Sequence, residues 1–256
     1  MKHARIGLVL ATAGFMSLTT ALPGLAPEIQ AQDHGNPDSF WRASAYLWWA
    51  NIDGFNYLGD TEVTVGDTTS LHASFAGDLR VGKGRFRGIA RFSTTSLKNQ
   101  GTVDGPGIPD GSQVNYDFSW TMAELSAAWQ VGRFDSSEAF LLHGGLRYVH
   151  QGQTLLDGPA PGETTESWIE PVVGAEYFTE MGGPFWVSVD GDIGGVLFGS
   201  EFAWRAGAEL GVNVHGPVHL TLAYDYLQTE YGTKESDYRW DEGVSQGWFF
   251  GLVIKD

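Results

Sequence analysis

Cysteine is absent from the 256 residues. That removes disulfides and thiolate metal sites, so an exported chain of this kind must hold itself by burial and hydrogen bonding alone. Long apolar runs are also missing. Beyond the first residues, no stretch approaches the roughly 18 apolar residues of a membrane-spanning helix, so any crossing of a bilayer has to be made by strands. Positive charge is scarce, with 15 Lys and Arg against 31 Asp and Glu and a formal net charge of −16. Nucleic acid is therefore excluded as a partner, because phosphate neutralisation needs clustered cations. Helix-period patterning is rare, and no cofactor or metal motif is recognised.

The chain does hold a secretory layout at its start. Lys2, His3 and Arg5 precede the apolar stretch Ile6 to Met16, and "TTALPGLAPEIQAQ" supplies a small-residue exit. The expected organisation is a signal peptide over 1–31, a short lead over 32–39 and one domain over 40–256. Within that domain, segments of about ten residues alternate with period two, and 35 glycines and many turn residues punctuate them. Expected strands cover 40–50, 72–82, 84–97, 114–131, 139–153, 167–179, 185–196, 202–214, 217–229 and 245–255. Short links alternate with long polar ones at 51–71, 99–112, 153–166 and 230–244, with a brief exception near Gly199. The fold class that fits is all-β: a transmembrane antiparallel up-and-down β-barrel of about 10 strands, with 8 to 12 left open.

Sorting strand residues by face decides which side meets lipid. One face has Leu47, Phe75, Leu79, Leu125, Leu142, Leu146, Val189, Leu210, Leu222 and Phe250 among others and no charge. Its aromatic members, Trp41, Trp49, Trp129, Tyr148, Tyr177, Trp204, Tyr224, Tyr226 and Trp248, are expected to form girdles. Trp41 and Trp49 are eight residues apart, about 20 Å along the normal for a strand tilted by about 40°. The other face carries Arg42, Asp78, Arg80, Arg85, Arg87, Arg91, Glu124, Arg147, Glu170, Glu176, Asp190, Asp192, Arg205, Glu209 and Asp225. A lipid-facing arginine costs about 2–4 kcal/mol at the midplane, so this face is expected to line the lumen. In "WIEPVVGAEYF" (168–178) the Glu170 and Glu176 face then looks inward. Pro171 lacks a ladder donor, and a bulge or irregular hydrogen bond is expected there.

The chain resembles a widespread, poorly characterised family of Gram-negative outer-membrane β-barrel proteins. "ASAYLWWANIDG", "WIEPVVGAEYF" with "VDGDIGG" and "SEFAWRAGAELGV", and "LTLAYDYLQTEY" before "QGWFFGLVIKD" carry the resemblance in the same order over most of the mature chain. It implies the barrel fold, the cell outer membrane as location, lipid and lipopolysaccharide as surroundings, and the barrel assembly machinery during insertion. It implies no reaction. The chain departs from it in finishing on Ile254, Lys255 and Asp256 where such barrels end on an aromatic residue.

Three functions are compatible with a charged lumen. Pairing of opposite charges would fill it and leave a structural or adhesion-like barrel. Opposed charges such as Arg85, Arg87, Arg91 and Arg147 against Glu170, Glu176, Asp190 and Asp192 would instead line a narrow or gated pore. A hydrolase would need a histidine with a nucleophile or acid near the outer rim. His143, His215 and His219 fall low on their strands, and His150 points to lipid, so no enzyme is expected. The long loops carry Asp53, Asp60, Glu62, Asp67, Asp104, Asp110, Asp157, Glu163, Glu166, Glu235, Asp237, Asp241 and Glu242, which solvation accounts for; binding of Ca²⁺ or Mg²⁺ by some of them is the sharper alternative, but no segment matches a twelve-residue calcium loop and no metal site is expected.

Overall fold

The computed structural model describes residues 39–58, 60–65, 74–109, 111–131, 138–157, 162–195, 197–232 and 238–255. The expected signal peptide and most of the 32–39 lead lie outside them. Eleven antiparallel strands form one sheet that closes on itself: β1 (Ser39–Leu58), β2 (Thr61–Val65), β3 (Phe75–Lys83), β4 (Phe86–Asp104), β5 (Ser112–Gln130), β6 (Glu138–Leu155), β7 (Gly162–Gly182), β8 (Phe185–Gly194), β9 (Phe202–His215), β10 (Val218–Tyr231) and β11 (Tyr238–Lys255). Closure is made by β1 on β11, with Arg42 opposite Lys255 and Leu58 opposite Tyr238. Both β2 and β3 lie between β1 and β4, β2 against Asp104 to Thr102 and β3 against Thr94 to Phe86. They are two pieces of one stave, so among the described residues the ring has ten staves built from eleven strands.

The strands run much further than the sequence suggests at one end. Segments expected to be long polar links are ladder: β1 and β2 pair up to Leu58 and Thr61, and β4 pairs β5 as far as Val103 and Ser112. The reason is an inversion of polarity along each stave. In the lower part of β5 the outward side chains are Leu125 and Trp129, more than half exposed, while Glu124 is buried inward. Higher up, the outward positions are Ser119, Asp117, Asn115 and Gln113, and the inward ones are Met122, Trp120, Phe118, Tyr116 and Val114, all buried. Similarly, β4 changes from Phe86, Ala90 and Phe92 outward to Ser96, Lys98 and Gln100 outward. A sheet that is apolar outside and charged inside suits lipid, whereas one that is polar outside and apolar inside suits water. The same staves therefore build a membrane barrel below and a water-facing barrel above. From Thr94 to Asp104 the upper part rises about 25 Å along the normal, at about 3.3 Å per residue and 40° of tilt.

Pro171 sits in unbroken register, opposite Leu146, with no bulge on the β6 side. Its missing N–H is accommodated by an edge: the ladder of β7 with β8 stops at Val172 and Gly194, one residue below it. The brief link near Gly199 belongs to this interruption, because β8 ends early and β9 begins only at Phe202.

Candidate functional site

The lumen is filled in three layers. At the lower end, Trp186 is 2 % exposed. Its indole N–H donates to His219 Nδ1 at 3.1 Å, and Arg42 and Lys255 lie over its ring at 4.9 and 5.1 Å. The alternation of β8 turns Trp186 inward with Ser188, Asp190 and Asp192. Reading the sequence for charge alone misses it.

Above it lies a continuous ionic network of five arginines and eight carboxylates. Arg147 is completely buried and holds Glu124 at 3.1 Å, Glu170 at 3.2 Å and Asp192. Arg91 joins Glu124 at 3.0 Å to Asp190 at 3.3 Å. Arg205 bridges Asp190 and Asp225, each at 2.5 Å. Arg80 pairs with Asp78 at 2.9 Å and with Glu176, and Arg42 pairs with Glu209, whose other oxygen accepts from Tyr46 at 2.8 Å. Isolated, each buried ion would cost several kcal/mol; shared partners with multiple hydrogen bonds offset that cost. Two arginines of the expected lumen set stand apart. Arg85 is exposed in the β3–β4 turn, and Arg87 is half-buried, bonded to Gly84 O at 2.5 Å and Gln130 at 3.3 Å. Their place at the strand end, below the network, separates them from its carboxylates.

The third layer is largely apolar, with Asn56, Gln151 and Gln153 buried among its rings and aliphatic side chains. Ile52, Val63, Leu97, Val103, Tyr116, Phe118, Trp120, Val149, Leu155, Trp168, Leu227 and Trp240 form one buried cluster. Its rings are in contact across the lumen: Phe118 with Trp240 at 5.7 Å, Trp120 with Trp168 at 6.3 Å, and Trp168 stacked on Tyr231 at 4.2 Å. Where this layer meets the ionic network, a cavity of about 100 Å³ is lined by Trp48, Trp120 and Phe249 on one side and by Asp78, Arg91 and Asp225 on the other.

Outside, the lipid belt is continuous around the staves. Leu47, Val81, Leu125, Leu146, Val173, Val189, Leu220 and Leu252 are all at least half exposed. Among the expected girdle residues, Trp49, Trp129, Tyr148, Tyr177 and Trp248 are exposed, and Trp41, Trp204, Tyr224 and Tyr226 are half-buried. The half-burial of three of them is mutual, since Trp204 contacts Tyr226 at 4.8 Å and Tyr224 meets Trp248 at 5.0 Å. Along the belt the described strands are paired on both sides, on β7 as far up as Val172, which is the condition for strands to cross a bilayer.

The chain is a membrane-spanning β-barrel. No family model and no curated protein matches it. Among solved structures it is similar to Ail, the attachment invasion locus protein of Yersinia pestis, crystallised with the heparin analogue sucrose octasulfate, at 10 % identity over 86 % of this chain and 99 % of that one, with a TM-score of 0.38. It is also similar to the translocator domain of the autotransporter NalP from Neisseria meningitidis, at 10 % identity over 95 % and 97 % with a TM-score of 0.41. The toluene transporter TodX of Pseudomonas putida follows at 7 % identity over 86 % and 90 %, with a TM-score of 0.27. Identities and scores of this size transfer no residue role and no activity.

Among the described residues, the histidines do not assemble a catalytic group. His143 is buried opposite Gly174, on the same rung as Asp192, and His219 is engaged by Trp186. His150 Nδ1 lies 2.7 Å from Ser167 Oγ on the outer face, a pair that the sequence reading did not bring together, and Tyr148 donates to the same hydroxyl at 3.2 Å. No carboxylate is bonded to that imidazole among the described residues. Nor do the acidic upper residues form a cation site: among the described residues, no group of three or more His, Asp or Glu is placed to hold a metal. Asp67, Asp110, Glu235 and Asp237 lie outside those residues.

Proposed function

We propose that the barrel is closed and non-conducting, and that it serves as a rigid outer-membrane scaffold presenting its raised, water-facing wall to partners outside the cell, a structural or adhesion-like role. The observation that carries this reading is the apolar layer above the ionic one. Paired charges alone would still permit hydrated ions to percolate, but an aromatic layer in contact across the lumen removes the water an ion needs. The raised wall supports the second half of the reading. It has a core of its own, with each fully buried large side chain stabilising it by about 1.5–3 kcal/mol, and a simple membrane plug has no need of it.

A gated pore is the second reading, favoured by the cavity between the two layers. It lies where the two layers meet, so conduction would require both of them to move. Proteoliposome swelling in small sugars and amino acids separates the two. The closed barrel gives the rate of empty liposomes, whereas swelling that scales inversely with solute size supports the pore.

A further inference from the structure

One part of the raised wall is unfinished. Residues 172–182 of β7 pair with β8, but β8 ends at Gly194, and among the described residues the ten residues of β7 above Val172 have a strand neighbour only on the β6 side. On the far side of this notch, β9 starts at Phe202, opposite Glu230 of β10, and Glu201 N–H donates to Glu230 O at 2.8 Å. The gap is bridged by side chains. Ser200 donates to Glu170 at its base, and Trp168 stacks on Tyr231 above. Gly199, at φ +91°, lies so close to Ile169 O that any side chain there would collide with it. The carbonyl of Ile169 therefore faces the notch. By strand alternation, so do the N–H and C=O groups of Glu163, Thr165 and Ser167, all exposed.

We propose that this free edge of β7 is a docking site for an extended, basic segment of a partner polypeptide, which adds as a strand in the notch. An unpaired edge above the membrane is a template for β-augmentation, with backbone hydrogen bonds giving affinity and side chains giving selectivity. Charge selects the partner. Glu163 and Glu166 lie on the edge strand, Glu201 and Glu230 line the opposite rim, and no cation stands on either rim among the described residues. Glu201 and Glu230 continue into an outer cleft with Glu62 and Asp241, where Arg239 is already held by Asp241 at 2.8 Å and by the Tyr57 ring. A second copy pairing edge to edge would set Glu163 and Glu166 against their like, and phosphate groups of lipopolysaccharide would be repelled. The proposal rests on the reading of the barrel as a presenting scaffold, though its test does not depend on conductance.

The test uses the full barrel in phosphatidylcholine nanodiscs and a fluorescent, end-blocked heptapeptide alternating lysine and threonine. A glutamate–threonine peptide is the control. Thr165→Pro removes an edge N–H while leaving the β6 ladder, as Pro171 already does, and retained heat-dependent gel mobility verifies folding. The expected result is saturable 1:1 anisotropy binding of the basic peptide alone, at least tenfold weaker in Thr165→Pro and several-fold weaker in Glu163→Gln/Glu201→Gln. Absence of binding, or binding untouched by Thr165→Pro, overturns the proposal. So does a wild-type dimer lost in Thr165→Pro, which would make the occupant a second copy. A leaky barrel that still binds the peptide would sink the closed-barrel reading and leave the docking site standing.

Discussion

Replacing Arg147 with methionine removes the cation on which three buried carboxylates converge. Glu124, Glu170 and Asp192 lie at 3.1 Å, at 3.2 Å and in direct contact, and all four side chains are fully shielded from solvent. Glu124 keeps Arg91 at 3.0 Å and Asp192 keeps Arg205 at 3.6 Å, whereas Glu170 is left with the Ser200 hydroxyl, which donates but supplies no charge. Breaking a buried pair by deleting one partner typically costs about 3–5 kcal/mol. At roughly 2–4 °C per kcal/mol for a chain of this size, the unfolding midpoint should fall by about 6–20 °C. The assay is the gel mobility of refolded protein heated in steps, supported by urea unfolding in detergent micelles. Removing the Glu170 charge together with the arginine, as Arg147→Met/Glu170→Gln, should restore much of the loss, because the carboxylate paired with Arg147 alone is then neutral while Glu124 keeps Arg91 and Asp192 keeps Arg205. A single mutant whose midpoint stays within about 2 °C of wild type refutes the reasoning. It would mean that water in the lumen solvates these groups and that the ionic layer is not closed.

The remaining predictions concern the inversion of polarity and the notch. Leu125→Arg and Ser119→Arg lie on the same outward face of β5; the first should cost about 2–4 kcal/mol in bilayers and the second no more than about 0.5 kcal/mol. Equal costs would mean that the lipid boundary is misplaced. In the upper core, Leu97→Ala should lose about 2–5 kcal/mol in urea titrations, to the same extent in detergents of short and long chain, since this layer touches no lipid. Gly199→Ala should cost about 1–3 kcal/mol of local strain and open the β8–β9 link to proteases near Leu197 and Phe198. Undiminished protease resistance would show that the close approach to Ile169 is not maintained. Asp157 accepts from the backbone and side-chain N–H groups of Asn115 at 2.7 and 2.5 Å, which hold its carboxyl below the ordinary aspartate range. This contact is complete above that range and is lost as pH falls through the lowered value. A carboxyl NMR titration with an ordinary midpoint would contradict it.

Much of the lower barrel was legible from period-two alternation, because lipid and an ionic lumen impose opposite chemistry on neighbouring residues. Leu125 beside Glu124 and Leu146 beside Arg147 leave no choice of face. The upper barrel was missed for the same physical reason: where lipid ends, the apolar side moves inward, so a face fixed at Leu125 is wrong in kind by Phe118. The signal was present in Val114, Tyr116, Phe118, Trp120 and Met122 at alternate positions, and could have been found by following each face to the strand's end. Arg85 and Arg87 have the right parity, but parity does not report height, and height puts them at the turn beneath the network. The pairing of His150 with Ser167 depends on the register of β6 with β7, which no single strand discloses.

The closed lumen is tested most directly by single-channel recording of the refolded barrel in planar bilayers, alongside a variant in which Phe118, Trp120 and Trp168 are all alanine. Insertion is verified for both by heat-dependent mobility. Wild type should be silent at all moderate voltages, and the variant should show small openings because only the ionic layer remains across the path. Discrete, voltage-stable steps from the wild type would contradict the closed barrel and make the layered lumen a gate.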